Sequence, residues 1–239
     1  MNNISFESDN LMYKKPNFFL KFLSDAFVTV CIIIALFIIF FSFIFVSAPV
    51  TGVSMQPTLN ANGESKQDIV YINKLLPYSY GDIVVIERPT NNVDVKYIIK
   101  RVVGMPGDRI KIMQDEDYKV YLFRNGKKIE EDYIFDAENC DDPHNYGMYA
   151  TLQQYLDLIN NVKKYPNNYP NVVFDDGWLV LQKDQIFVLG DNRGYSEDSS
   201  ALGPFNKNKV VGRVDFIIPH GVVPFYYFLK YYTGIDLGI

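Results

Sequence analysis

Ser54 and Lys100 are the two side chains of this 239-residue sequence whose types and surroundings best fit nucleophilic chemistry. Ser54 lies in Thr51 to Leu59 (TGVSMQPTL), among glycine, proline and apolar side chains. Lys100 lies in Lys96 to Val103 (KYIIKRVV), which is typical of a β-strand. An attacking serine needs a base to take its proton, and a Ser–Lys pair is an alternative to Ser–His–Asp.

The strand pattern places Lys100 between apolar neighbours. Ile98, Lys100 and Val102 share one face, because side chains alternate along a strand. Burial there would disfavour the ammonium form, lower the lysine pKa and provide a general base. Two ordinary readings stay open from these residues alone: an exposed lysine whose amine reaches water, and a Ser54 hydroxyl that only bonds nearby backbone in a turn.

The two histidines offer no better base. His144 lies in a polar segment and His220 follows a predicted strand, and neither is near a nucleophile motif. One polar cluster lacks standard zinc spacing, so we predict a solvated loop and neither a metal nor a cofactor: Cys140, Asp141, Asp142 and His144. The net charge of −5 and the lack of a basic block argue against nucleic-acid binding.

A long uncharged run, Ala26 to Val46, predicts one transmembrane helix. Lys14, Lys15 and Lys21 precede it, whereas the first basic residue after it is Lys66. The positive-inside rule therefore predicts a cytoplasmic N-terminus and an extracytoplasmic body.

Two other readings of the apolar run are a cleavable signal peptide and a buried helix of a soluble protein. A cleavable signal peptide would fit the small residues Val46 to Ala48, but the run is long for one and Ser54 follows within a few residues. A buried helix of a soluble protein would normally keep a polar stripe. Cys31 lies inside the run and Cys140 far downstream, so an intramolecular disulfide is not expected.

Short runs of β-branched and aromatic residues after the anchor predict a mainly β body. The predicted strands are 68–72, 83–88, 96–103, 109–112, 119–123, 178–181, 185–189 and 210–218. Asn125-Gly126 predicts a hairpin, and Met105 to Asp108 a type II turn. The apolar C-terminal stretch Val222 to Tyr232 is too short to span a membrane and is expected to pack or to rest on its surface.

The segment from Glu130 to Asp176 differs in composition and predicts an insertion. One amphipathic helix is expected in it from apolar residues at helical spacing: Leu152, Tyr155, Leu156, Ile159 and Val162. The expected organisation is a tail (1–25), an anchor (26–47), a catalytic β domain (48–129 and 177–239) and an inserted cap (130–176).

Four segments, taken in order, resemble the sequence boxes of bacterial type I signal peptidases. They follow an N-terminal apolar segment, as in that family, and with it cover about residues 26 to 218: TGVSMQPTL (51–59), GDIV (81–84), KRVVGMPGDR (100–109) and GDNRGYSEDS (190–199). The resemblance implies an antiparallel β-sheet signal-peptidase-type catalytic domain with a smaller inserted part. It also implies an enzyme that removes signal peptides from exported preproteins at the outer face of the membrane.

The resemblance implies a role for each matching residue. Ser54 would be the nucleophile, Lys100 the general base, and Ser196 the serine that orients the lysine amine. The Ser54 N–H would form the oxyanion hole, without the hydroxyl that other members often carry where this chain has Gly52. Further residues would support the shape of the site: Gly81, Asp82, Asp191, Asn192, Arg193 and Asp198.

A second departure from the family pattern lies at Ser200, where many members carry an arginine paired with the aspartate matching Asp198. Asp198 must then have another partner, with Arg193 and Arg101 as the two candidates.

The implied substrates are preproteins with small residues at the two specificity positions, bound as an extended strand. Val53, Met55 and Ile98 are the predicted pocket residues. The partners expected are preproteins and the lipid bilayer.

Two other functions remain from the sequence. A non-catalytic, membrane-anchored extracellular β-domain would have Ser54 and Lys100 far apart and Lys100 exposed. A self-cleaving Ser–Lys protease of the repressor type shares the pair, but that class should lack a membrane anchor and carry a DNA-binding helix pair.

Overall fold

The computed structural model describes residues 17–63, 65–88, 97–134 and 146–222, in two units that divide at residues 43 and 44. Three predictions lie wholly or mostly outside the described residues: the lysines at 14 and 15, the polar cluster 140–144 and the C-terminal stretch after residue 222. Lys96, the first residue of a predicted strand, also lies outside them.

Helix α1 (Phe18–Ile44) forms the described part of the first unit and is long and apolar enough to cross a membrane. Its 27 residues span about 40 Å at 1.5 Å per residue. The helix begins eight residues before the predicted start at Ala26 and ends two residues before the predicted end at Val46. The earlier end follows from hydrogen bonding, because Phe45–Pro49 pairs as a strand with Ile69–Asn73.

The second unit is built mainly from two antiparallel sheets. Their strands are β1 (Phe45–Pro49), β2 (Ile69–Asn73), β3 (Ile83–Glu87), β4 (Tyr97–Gly104), β5 (Arg109–Gln114), β6 (Val120–Arg124), β7 (Lys127–Lys128), β8 (Val173–Asp175), β9 (Trp178–Val180), β10 (Gln185–Leu189), β11 (Phe205–Asn206) and β12 (Val210–Ile218). The larger sheet has the order β1-β2-β12-β3-β4-β10-β11, and the smaller one β7-β6-β5-β9-β8. The predicted mainly β, antiparallel architecture is confirmed.

Local turn chemistry sets two of the strand connections. Asn125 and Gly126 both have positive φ, 53° and 80°, as the predicted two-residue hairpin requires. In the predicted type II turn, Gly107 has φ of 89° and the Asp108 N–H donates to the Met105 carbonyl at 3.0 Å.

Helix α2 (Tyr146–Lys164) confirms the helix predicted in the insertion, but its buried face differs from the prediction at two positions. Leu156 is 42% exposed, whereas Leu158, which the pattern did not include, is 1% exposed. The helix packs through Leu152 and Tyr155 on a core that it shares with β5 and β9.

The predicted inserted part (130–176) shares its sheet with strands outside it. The smaller sheet begins at Arg109 and ends at Val180, so it includes strands on both sides of that segment. Its core cluster also contains Val103, Phe187 and Leu189 of the larger sheet. The division into a catalytic domain and an inserted cap stays a prediction.

The Tyr155 hydroxyl joins α2 to the smaller sheet. Its oxygen accepts the N–H of Leu179 at 3.2 Å, and its one proton has two carbonyl acceptors within reach, Ile110 at 2.8 Å and Gly177 at 3.0 Å. These groups are buried, so removing the hydroxyl leaves a backbone N–H without its acceptor.

We expect Tyr155→Phe to lower the free energy of unfolding by about 1–3 kcal/mol, because buried backbone groups lose their hydrogen-bond partner. Thermal or denaturant unfolding of the full chain measures the change. Tyr149→Phe is the matched control on the same helix, where the side chain is 51% exposed. Equal effects of the two substitutions would contradict the prediction.

Candidate active site

Ser54 and Lys100 are in direct contact. Lys100 Nζ donates to Ser54 Oγ at 2.7 Å and to the Ile99 carbonyl at 3.0 Å. Lys100 stands opposite Val84 in the β3–β4 ladder and is only 3% exposed. The predicted proximity of the two side chains and the predicted burial of the lysine are both confirmed.

Burial lowers the pKa of Lys100 to about 8, because an ammonium loses its hydration among apolar side chains. The carboxylates of Asp198, Asp191 and Glu197 oppose this effect, and the Arg88 guanidinium adds to it. Desolvation is the largest of these effects, so the amine can lose its proton near neutral pH. A neutral amine so close to a hydroxyl can act as its general base.

The loop after β10 holds the segment that carries Ser54. The backbone N–H of Asn192 donates to the Ser54 carbonyl at 3.1 Å, and its side-chain amide donates to the Val53 carbonyl at 3.2 Å. A side chain at Gly190 would overlap Ser54 O and Ser196 Oγ, so the two backbones approach this closely only at a glycine.

Asp191 links the same loop to β4. Arg101 donates to Asp191 through Nε at 2.9 Å and through Nη2 at 2.6 Å, and the Thr58 hydroxyl donates to the same carboxylate. Arg101 also donates to the Gly81 carbonyl at 2.7 Å. The Asp82 carbonyl in turn accepts the Val102 N–H at 2.9 Å. These contacts fix the strand on which Lys100 lies.

Asp198 is buried and surrounded by neutral donors. It accepts the N–H of Gly190 at 2.9 Å, the N–H of Ser200 at 3.0 Å and the Ser196 hydroxyl. The Ser200 hydroxyl lies 2.8 Å from the same carboxylate. Hydrogen bonds of this kind can hold a buried carboxylate charge without an ion pair.

Neither arginine suggested by the sequence pairs with Asp198. Arg101 pairs with Asp191, and Arg193 pairs with Glu131 at 2.6 Å. The prediction is corrected here: Asp198 accepts the Ser200 N–H in place of an ion pair, and the Ser200 hydroxyl lies beside the same carboxylate.

Ser196 lies close to the pair but bonds elsewhere. It is 4% exposed, and its hydroxyl donates to Asp198. Among the described residues, the hydrogen bonds of Lys100 Nζ go to Ser54 and Ile99. The lysine-orienting role of Ser196 therefore stays a prediction, in which its oxygen would accept a hydrogen bond from the amine.

Sequence reasoning missed the contribution of α2 to this loop. Gln154 lies 2.6 Å from the Ser200 hydroxyl, which donates to its side-chain carbonyl, and the Thr151 hydroxyl is 3.2 Å from the Arg193 carbonyl. Glu131 was missed as well. Some 40 to 60 residues separate each of these partners in sequence, so no local pattern could have paired them.

A groove of about 650 Å³ opens at Ser54 and Lys100. Its lining comes from β1, β2, β3, β4 and β12 and is largely apolar. Of the predicted pocket residues, Ile98 lines it. Val53 and Met55 are not among its lining residues, and Met55 is 1% exposed in the core beneath the site, so the substrate-pocket role of these residues stays a prediction.

The Ser54 N–H has no acceptor among the described residues, and its role in an oxyanion hole stays a prediction. Gly52 has φ of 84°, a conformation that a serine or threonine would adopt only with strain. Within the same described ranges, no cluster of three His, Cys, Asp or Glu side chains could hold a metal ion.

The sequence matches the family described as "Signal peptidase, peptidase S26" over residues 23–219. The chain belongs to this family. It is 34% identical over 188 residues to signal peptidase I P of Bacillus subtilis subsp. natto, covering 76% of this chain and 82% of that protein. It is 33% identical over 193 residues to signal peptidase IB of Staphylococcus aureus, covering 78% and 85%.

A solved signal peptidase I from Enterococcus faecalis V583 is similar with 21% identity and a TM-score of 0.34, covering 58% of this chain and 97% of that one. Family membership identifies this S26 peptidase as a serine peptidase, a hydrolase, as the sequence boxes predicted.

We expect kcat/KM of this S26 peptidase to rise with pH and to level off above about pH 8, where Lys100 is deprotonated. Below that pH the ammonium cannot accept the Ser54 proton, so the loss is on the acid side. Initial rates across pH 6 to 10.5 on one preprotein measure the profile. A midpoint near 10.5, the ordinary lysine value, would contradict it.

We expect Gly190→Ala to reduce activity strongly, because its new methyl group would displace Ser196 or Ser54. The control is Gly104→Ala, whose methyl would come within 2.9 Å of core side chains away from the pair. Both variants should lose stability, measured by thermal unfolding. Only Gly190→Ala should lower kcat of the folded fraction, and equal kcat values would contradict this account.

Proposed function

We propose that this S26 peptidase removes N-terminal signal peptides from exported preproteins through an acyl-enzyme formed on Ser54. The observation that carries the proposal is the 2.7 Å contact between the Ser54 hydroxyl and the buried Lys100 amine. The non-catalytic alternative required separated side chains and an exposed lysine, which is the opposite arrangement.

In the proposed reaction, Lys100 takes the Ser54 proton while Ser54 Oγ attacks the scissile carbonyl. The Ser54 N–H stabilises the oxyanion, and Lys100 then gives its proton to the leaving amine. A water molecule, deprotonated by Lys100, then attacks the ester carbonyl. The bond between that carbonyl carbon and Ser54 Oγ breaks, Lys100 returns the proton to Ser54 Oγ, and the signal peptide leaves with a free carboxylate. Ser196, held by Asp198, would orient the amine between these steps.

An extended substrate strand fits the two open edges beside the groove. Ile98 to Lys100 of β4 pair with β3 on one side, and β10 pairs with β4 only from Arg101 onwards. β1 is a terminal strand of its sheet and also contributes to the groove. Main-chain hydrogen bonds to such edges would bind a peptide in register, and the apolar lining would select small side chains.

We further propose that α1 anchors the enzyme, with its N-terminus in the cytoplasm and the second unit at the outer membrane surface. Lys21 and the two lysines before it support this orientation by the positive-inside rule. A signal peptide would present its cleavage site at that surface while its apolar segment stays in lipid.

We expect Ser54→Ala and Lys100→Met, in full-length protein in membranes, to reduce cleavage of a preprotein with an Ala-x-Ala site by at least about a thousandfold. Ser196→Ala should reduce kcat by about ten- to a hundredfold, because the base is no longer oriented. Lys111→Met, on β5 outside the groove, is the control and should keep full activity. Activity retained by either of the first two variants would remove that residue from the mechanism.

A further inference from the structure

Two charged side chains form part of the groove wall near Lys100. Arg88 follows β3, and Glu197 lies between Ser196 and Asp198 in the loop after β10. Arg88 Nη2 and Glu197 Oε1 are 2.6 Å apart, with the side chains 15% and 53% exposed.

This ion pair is poorly suited to a purely stabilising role. A pair with one half-exposed partner contributes little to folding, because water and salt screen it. Moreover, Arg88 Nε is buried and has no acceptor among the described residues, which disfavours the folded state.

The pair is placed to act on the lysine. In the β3–β4 ladder Val84 stands opposite Lys100 and Ile86 opposite Ile98, so Arg88 continues the face on which the amine lies. Four charged side chains influence that amine: Asp198, Asp191, Glu197 and Arg88. The charge of Asp191 is paired with Arg101, and Asp198 is held by neutral hydrogen bonds. Arg88 and Glu197 act on Lys100 with opposite signs.

We propose that Arg88 and Glu197 are positioning residues of the peptidase reaction: on the groove wall each offsets the charge of the other, so that neither charge alone shifts the pH at which the Lys100 amine accepts the Ser54 proton. The inference rests on the proposed function of Lys100 as general base. The Glu197 charge without Arg88 would raise the pKa of the Lys100 amine, and the Arg88 charge without Glu197 would lower it. When both are present, their effects offset each other and desolvation stays the main influence on that pKa.

The test is the pH profile of kcat/KM for the full-length enzyme in detergent, with one preprotein carrying an Ala-x-Ala site. Glu197→Gln leaves the Arg88 charge uncompensated and should move the acid-side midpoint down by about half a pH unit. Arg88→Gln should move it up by about half a unit for the converse reason. The double variant should return close to the wild-type midpoint, and Arg88→Lys, which keeps the charge, should not move it.

The matched control is the neighbouring ion pair of Glu87 and Lys209, whose atoms are 3.1 Å apart and which does not line the groove. Glu87→Gln with Lys209→Gln should leave the midpoint unchanged. Thermal unfolding checks that each variant is folded. If Arg88→Gln does not fold, the variant Glu197→Lys is measured in its place. It should lower the midpoint by about twice the shift of Glu197→Gln.

Opposite shifts of the acid-side midpoint that cancel in the double variant support the inference. An ion pair that only stabilised the fold would change kcat or KM without moving that midpoint in two directions. Unmoved midpoints, or shifts of one sign, overturn it. The proposed function fails separately, through activity retained in Ser54→Ala or Lys100→Met.

Discussion

The proposed chemistry of this peptidase depends on the cost of placing an ammonium among apolar side chains. With a pKa of about 8, about one Lys100 amine in ten is neutral at pH 7, against about one in three thousand for an ordinary lysine at 10.5. No histidine or metal is needed for that change, because β3 and β4 bury the amine. The same strand alternation that builds the sheet therefore prepares the proposed base.

Near the Lys100 amine, buried charged side chains are compensated by two ion pairs and by hydrogen bonds. Arg101 neutralises Asp191, and Glu131 neutralises Arg193, both in nearly dry surroundings. Asp198 accepts hydrogen bonds from backbone and serine groups. Among the charged groups that act on the Lys100 amine, Asp198 opposes the effect of burial most strongly.

The smaller sheet and α2 have a functional consequence beyond packing. Through Gln154 and Thr151 the helix contacts the loop that carries Ser196 and Asp198, and Tyr155 fixes the helix on the sheet. A region that differs in composition from the strands around it thus supports the geometry of the active site. Gln154 and Thr151 join the helix to that loop, and Tyr155 joins it to the smaller sheet.

The sequence by itself determined the β architecture and the apolar helix, and it singled out Ser54 and Lys100 as the candidate catalytic pair. These features depend on local periodicity, turn residues and a contiguous motif, all of which act over a few neighbouring positions. It also indicated that Lys100 is buried, since Ile98 and Val102 share its face.

Only the tertiary structure decided where α1 ends, which side chains pair with Asp198, and which residues line the groove. Phe45 and Val46 look like more of the apolar helix, yet their backbone groups bond to β2. Met55 looks like a pocket residue beside Ser54, yet it points into the core. Glu131 and Gln154 reach the site across 40 or more residues of chain. Such contacts are selected by the packing of distant segments, which no local spacing encodes.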